Sequence, residues 1–324
     1  MEDGIISRVL QFFFWPLFAV LSWLRLPTFL KQAAHYDEGS TIDEDQVSFF
    51  SKLSSEWWDE KGKMRNLHCY NELRVPLIVE GLLEVGQIDL AKSQSPLPLQ
   101  GLKIIDIGCA AGILTEIASR GAARATLRWQ NDILHSRRFT PRWGRLGEWH
   151  KALAKLGAEI TGVDASQNMI KVAKIHAEKD SKISNSITYV SETIEEHAKK
   201  YPGYYDVIVA SEVLEHVNNK ELFVHCSAAT VKPGGSFFIT TPNRTFTVWF
   251  GLILISEYIS KRIPRGTHYM HMMYTPEETR SLLKKNDCSI IRTRGIRMST
   301  FGSEWYWSTN TDMFYAVHAV RNNE

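Results

Sequence analysis

Cysteine is scarce in this chain: Cys69, Cys109, Cys226 and Cys288 are the four, widely spaced and without a C-x-x-C pair. That excludes a disulfide framework and a zinc knuckle, and it fits a reducing compartment. Charge of one sign is also lacking, since 38 basic residues face 36 acidic ones for a formal +2. No global field draws the protein to nucleic acid or anionic lipid, so local patches must do any such work and no nucleic-acid partner is expected. Internal repeats and low-complexity tracts are missing too. The apolar run at residues 9–24, VLQFFFWPLFAVLSWL, falls short of the roughly 20 residues of a spanning helix and carries Pro16. Flanked by Arg8 and Arg25, it suits an in-plane or dipping anchor, with a packed core segment as the alternative. Its Met-Glu-Asp start is unlike a cleaved secretory signal, and it is not clearly a mitochondrial presequence either.

What is present is ordinary for a globular chain, 44% hydrophobic and 23% charged. Residues 35–48 are polar and acidic and read as a linker, with a boundary near residue 40. Residues 1–40 are therefore an anchor or targeting segment plus linker, and 41–324 a folded domain. FFSKLSSEWWDEKG is a helical lead-in and LRVPLIVEGLLEVGQI a helix. LKIIDIGCAAG, AEITGVDAS, ITYVSET, YDVIVASE and GSFFITTP read as strands, with NMIKVAKIHAEK and NKELFVHCSAATV as helices among them. Strands alternating with helices predict a doubly wound, mostly parallel Rossmann-like α/β sheet.

Gly108, Ala110 and Gly112 end the first strand in a tight turn where the backbone must pass close to a ligand. The last glycine of the G-x-G-x-x-G dinucleotide pattern is missing, and Asp106 stands two residues before Gly108. A carboxylate there would repel a pyrophosphate but attract the sulfonium and ammonium of S-adenosylmethionine. Asp164 ends the second strand, where a carboxylate can accept both ribose hydroxyls, and Ser191, Glu192 and Thr193 follow the third, at the adenine position. In SEVLEHV, Glu212, Glu215 and His216 stand at i, i+3 and i+4. On a helix they share one face and could converge on a metal; alternatively the acids complement the helix dipole and His216 caps or packs.

SSEWWDEKGKMRNLHCYNELRVPLI, DIGCAAGILTE, GAEITGVDAS, ASEVLEHV, VKPGGSFFITTPN, PRGTH and WYWSTNTDMFYAVHAV together resemble the ubiquinone-biosynthesis O-methyltransferases, over about residues 45–320. The resemblance implies a class I S-adenosylmethionine-dependent methyltransferase that methylates catechol hydroxyls of polyprenyl-dihydroxybenzoate and demethylubiquinol. It implies cofactor contacts at Arg74, Gly108, Asp164 and Ser211. It also implies magnesium at Glu212, Glu215 and His216, with zinc as the alternative. Chelating both catechol oxygens would favour the phenolate of a phenol whose pKa is otherwise about 10. Glu215 and His216 are thus the expected catalytic residues, with His216 alternatively a general base. The same resemblance implies peripheral attachment on the matrix side of the mitochondrial inner membrane, among other ubiquinone-biosynthesis proteins.

Residues 246–268 insert after the fifth strand, with an apolar VWFGLILI followed by Lys261, Arg262 and Arg265. They read as a segment lying in the membrane interface, or as a lid over the site. Two features depart from the family. Asp164 lies 56 positions beyond Gly108 (164 minus 108) instead of about 20, the excess falling in an Arg- and Trp-rich insert at about 123–151. That insert is either a partner or lipid patch or the product of an unusual isoform or gene structure. Ala110-Ala111 replaces a more glycine-rich turn, which costs little if φ is negative there. The competing functions are a scaffold subunit with a disabled cofactor pocket and a generic small-molecule methyltransferase.

Overall fold

The computed structural model describes residues 39–116, 156–299 and 304–323. The apolar stretch 9–24 and the insert at about 123–151 lie outside the described residues. The strands are β1 (Lys103–Ile107), β2 (Glu159–Asp164), β3 (Ile187–Ser191), β4 (Tyr205–Ser211), β5 (Val231–Pro242), β6 (Cys288–Met298), β7 (Trp305–Ser308) and β8 (Phe314–Arg321). They form one sheet in the order β3-β2-β1-β4-β5-β8-β6-β7. The pairs from β3 through β5 are parallel, as expected, and β8, β6 and β7 add an antiparallel edge.

The strand order reverses at β1, which lies between β2 and β4. In such sheets the crevice at the carboxyl ends beside the reversal receives the ligand. Register fixes who stands there. Ile107 pairs with both Val163 and Ala210, so the next residues of the three strands, Gly108, Asp164 and Ser211, arrive at one edge. The central strands are buried on both faces because helices cover both, and the pleat sorts alternate residues between two cores. Ile104, Val207 and Phe238 enter one cluster, while Ile105, Ile208 and Phe237 enter the other.

Two elements differ from the sequence expectation. The 35–48 linker gives way at Thr41, whose N–H and hydroxyl donate to the Glu195 carboxylate at 2.7 and 2.9 Å. Asp43 then caps a helix, Glu44–Lys52, by accepting from the Gln46 N–H at 3.0 Å. The second difference is SEVLEHV, which is not an α-helix. The Glu212 N–H donates to the Thr240 carbonyl at 2.8 Å, continuing the β4–β5 pairing, and Glu212 takes a left-handed φ of 55°. Only Leu214–His216 then winds, as a single 3₁₀ turn.

The segment expected at 246–268 is helical from Phe246, and Trp249–Ile259 is wound with i to i+5 bonds, such as Ser260 N–H to the Ile255 carbonyl at 2.8 Å. Among the described residues no helix is long and apolar enough to cross a membrane.

Candidate active site

A cavity of about 630 Å³ opens at the sheet reversal. On its cofactor side the turn after β1 requires Gly108: φ is 69°, and a Cβ there would lie 2.4 Å from a Val213 methyl. Ala110 does not have the negative φ that would make it cheap. Its φ is 48°, a left-handed conformation that costs an alanine on the order of 1–2 kcal/mol. The turn is held from both sides. The Asp164 carboxylate accepts the Ala110 N–H at 2.9 Å and the Ser166 N–H at 2.8 Å, and Trp58 of the WWD lead-in donates its indole N–H to the Ala111 carbonyl at 2.9 Å. Trp58 is itself stacked on His176 at 3.4 Å.

Asp106 is buried on β1 and accepts the Thr115 hydroxyl at 2.6 Å. Burial pushes its carboxyl up to about 6. Arg74, from the long helix Arg65–Glu84, is also buried. Its guanidinium donates to the Ser211 hydroxyl at 3.0 Å and the Leu67 carbonyl at 2.9 Å, while its Nε has no partner. Arg74, Asp106, Gly108, Asp164 and Ser211 therefore line one cavity. The adenine-side expectations fare differently. Ser191 is exposed at the end of β3 and is not among the lining residues. Glu192 does line the cavity, but its carboxylate is occupied by the His197 ring at 2.6 Å and by the Lys200 ammonium.

The acceptor side holds a second group. The ligand-capable atoms of Glu215, His216 and His268 lie within 4.8 Å of one another. The expected trio was Glu212, Glu215 and His216 on one helix face; the left-handed Glu212 breaks that face, and His268 of the P-R-G-T-H stretch supplies the third member instead. Glu212 stays in the cavity wall, within the field of Arg74. Glu215 is buried, with Oε2 accepting the Thr241 hydroxyl at 2.8 Å and Oε1 without a partner; Oε1 of Glu212 is equally unpartnered. The His216 ring donates from Nδ1 to the buried Gln46 side chain at 3.0 Å, which leaves Nε2 with its lone pair, 3.8 Å from Glu215.

Burial dominates the electrostatics of this group. Burial, reinforced for Glu215 by Glu212, drives the Glu215 carboxyl well above the usual range, and burial lifts Glu212 to about 7. Burial also holds His216 well below the usual imidazole range, so the ring is neutral. The unpartnered Glu215 oxygen, the neutral His216 ring and His268 are a donor set that a divalent cation fits.

Beyond this group the wall turns apolar, through Leu252, Ile255 and Ile263 to Trp305 of β7. Trp305 packs on Tyr70 at 4.4 Å and donates to the Asn66 carbonyl at 3.0 Å. Sequence reasoning quoted PRGTH and WWD but assigned neither a role, and it missed Gln46. Trp58 meets Ala111 and Gln46 meets His216 across long stretches of chain, and His268 meets Glu257 from a different element, so no local spacing reveals these contacts.

A family model described as a methyltransferase domain matches residues 87–293. The mitochondrial ubiquinone biosynthesis O-methyltransferase of Rattus norvegicus is 35% identical over 88% of this chain and 72% of its own length. The Homo sapiens counterpart is 34% identical over 87% of the chain and 66% of its own length. The ubiquinone biosynthesis O-methyltransferase of Brucella ovis is 32% identical, over 87% of the chain and 97% of its own length. Among solved structures, the magnesium protoporphyrin IX methyltransferase of Synechocystis PCC 6803 with bound SAH aligns with a TM-score of 0.51 at 18% identity, over 86% of this chain and all of that one. That last likeness supports the class I methyltransferase fold.

Proposed function

This chain belongs to the ubiquinone biosynthesis O-methyltransferases, S-adenosylmethionine-dependent enzymes, and on that premise we propose that it methylates one hydroxyl of a polyprenylated catechol at a membrane surface. The observation that carries the reading is that one cavity joins three chemistries: the β1 turn with Asp164, the Glu215–His216–His268 group, and an apolar wall. A cationic methyl donor, a chelating ring and a hydrocarbon tail call for those three in that sequence.

S-adenosylmethionine supplies the methyl group on a positively charged sulfur. Asp106 and Asp164 suit its cationic and ribose parts, and the buried Arg74 suits the carboxylate of its methionyl end. A divalent cation held by Glu215 and His216, for which magnesium is the candidate, would lower the pKa of the catechol hydroxyls. The remaining work belongs to the chain. With Nδ1 of His216 engaged by Gln46, its Nε2 and the unpartnered Glu215 Oε1 are the lone pairs that would hold that cation, and their positions fix where the ring hydroxyls stand. The lead helix Glu44–Lys52 covers this group: Phe50 lies edge-on to His216 at 4.9 Å, which limits water.

The hydrocarbon tail enters from the helix Trp249–Ile259. Its inner face lines the cavity through Leu252 and Ile255, while Phe246, Phe250 and Ile259 stand 63%, 47% and 66% exposed on the outside. Apolar side chains displayed that way suit the headgroup boundary of a bilayer, with Arg262 and Arg265 following. Since the eukaryotic relatives are mitochondrial by name, the reading takes the inner membrane, peripherally and on the matrix side, as the place of action.

The test is incubation of the full chain with methyl-labelled S-adenosylmethionine and either a short-tailed demethylubiquinol or the same ring with one hydroxyl removed. Label should move to a ring oxygen of the first and at least about 100-fold more slowly to the second. Equal rates, or label on carbon or nitrogen, would refute a catechol-directed O-methyltransferase.

A further inference from the structure

The helix Trp249–Ile259 carries one acid, Glu257, and it is 0% exposed although the helix around it is apolar. An ionised carboxylate in such a place is costly unless every oxygen is engaged. Both are. Glu257 Oε1 accepts the His268 backbone N–H at 3.0 Å and the His268 ring N–H, from Nδ1, at 2.8 Å; Oε2 accepts the Gly266 N–H at 2.9 Å. The carboxylate thus grips the P-R-G-T-H turn by its backbone and the imidazole by its ring.

Binding the turn alone would need only the backbone bonds. The bond to Nδ1 does something more: it sets the tautomer, so the proton sits on Nδ1 and the lone pair on Nε2. The ring is then 5.7 Å, centre to centre, from that of His216, and its donor atom belongs to the 4.8 Å group with Glu215. Inside that group Glu215 Oε1 is buried and has no hydrogen-bond partner among the described residues, so its lone pairs are available to a ligand shared with the two rings.

We infer that His268 is a donor to the divalent cation of the active site and that Glu257 is its positioning residue, a carboxylate behind an imidazole that fixes the ring and strengthens its lone pair. The inference rests on the cation reading above. It makes the acceptor site dependent on the apolar helix: one face of that helix meets hydrocarbon, and the other holds a metal donor in place.

The experiment is Mn2+ titration of the full chain in the presence of S-adenosylhomocysteine, followed by electron paramagnetic resonance, on wild type, H268Q, E257Q and E257D. Wild type should bind one Mn2+ and show nitrogen modulation from two imidazoles. H268Q should show one imidazole and bind at least about 10-fold more weakly; E257Q should lose about 10- to 100-fold, and E257D should recover most of that. Affinity for S-adenosylhomocysteine should stay within about twofold in all four, which reports an intact fold independently of the metal. Two-imidazole modulation persisting in H268Q overturns the donor role, and wild-type Mn2+ affinity in E257Q overturns the positioning role. If wild type itself binds no Mn2+, the cation reading falls and this inference with it.

Discussion

Gly108 and Asp106 are the residues where local physics predicts most. Gly108→Ala combines a left-handed φ with a Cβ 2.4 Å from Val213, so the turn must shift. Calorimetric affinity for S-adenosylmethionine should fall on the order of 100-fold, since strain of about 1–3 kcal/mol adds to the displaced contacts. Asp106 sets a pH dependence. Its carboxyl is raised in the folded chain, from 3.8 to about 6, so the stability it contributes is complete below about 4 and is lost as pH rises through about 6. Asp106→Asn removes that loss: the melting temperature of D106N relative to wild type should climb across this window. A flat difference would mean that Asp106 is not held by burial. At the acceptor side, Glu215→Gln or His216→Ala should lower turnover at least about 100-fold while leaving cofactor affinity nearly intact. Parallel loss of both would move these residues from acceptor chemistry to scaffolding.

At the scale of elements, the parallel half of the sheet is legible because Ile104–Ile107, Ile160–Val163 and Val207–Ala210 are short, mostly apolar and β-branched runs followed by Gly108, Asp164 and Ser211. Their ends line the cavity, so the place of Asp164 is legible with them, whereas Ser211 comes only from the family resemblance. SEVLEHV was not. Its spacing suits a helix, but pairing with Thr240 extends past β4 and the chain turns left-handed at Glu212, a tertiary decision that local pattern does not contain. His268 was invisible for the same reason, since Glu257 brings it in from another element. Glu192 lines the cavity as expected, and its carboxylate also holds His197 and Lys200 of the next helix, a partnership that the spacing alone does not reveal. The helix Trp249–Ile259 invites its own test. Replacing Phe246, Phe250 and Ile259 together with aspartate should weaken sedimentation with cardiolipin-containing liposomes at least about 10-fold, given about 25 cal/mol per Å² of apolar surface. Turnover of a tail-free catechol should not change. Liposome binding at the wild-type level would leave that face without a role.

For the whole molecule, the antiparallel edge and the lead helix add walls to the cavity at the sheet reversal: Trp305 of β7 lines it on one side, Phe50 and Gln46 on another. The cofactor turn, the acidic and imidazole donors and the apolar helix meet only because each stands on a different part of one sheet and its covering helices. We propose that this cavity methylates a catechol oxygen with help from a cation held by its own side chains. The most direct measurement is single-turnover transfer from labelled S-adenosylmethionine to a short-tailed demethylubiquinol, before and after chelation. Transfer should be lost on chelation, with cofactor affinity kept, and should recover when Mg2+ or Mn2+ is returned; undiminished transfer by the metal-stripped enzyme would refute the role of the cation.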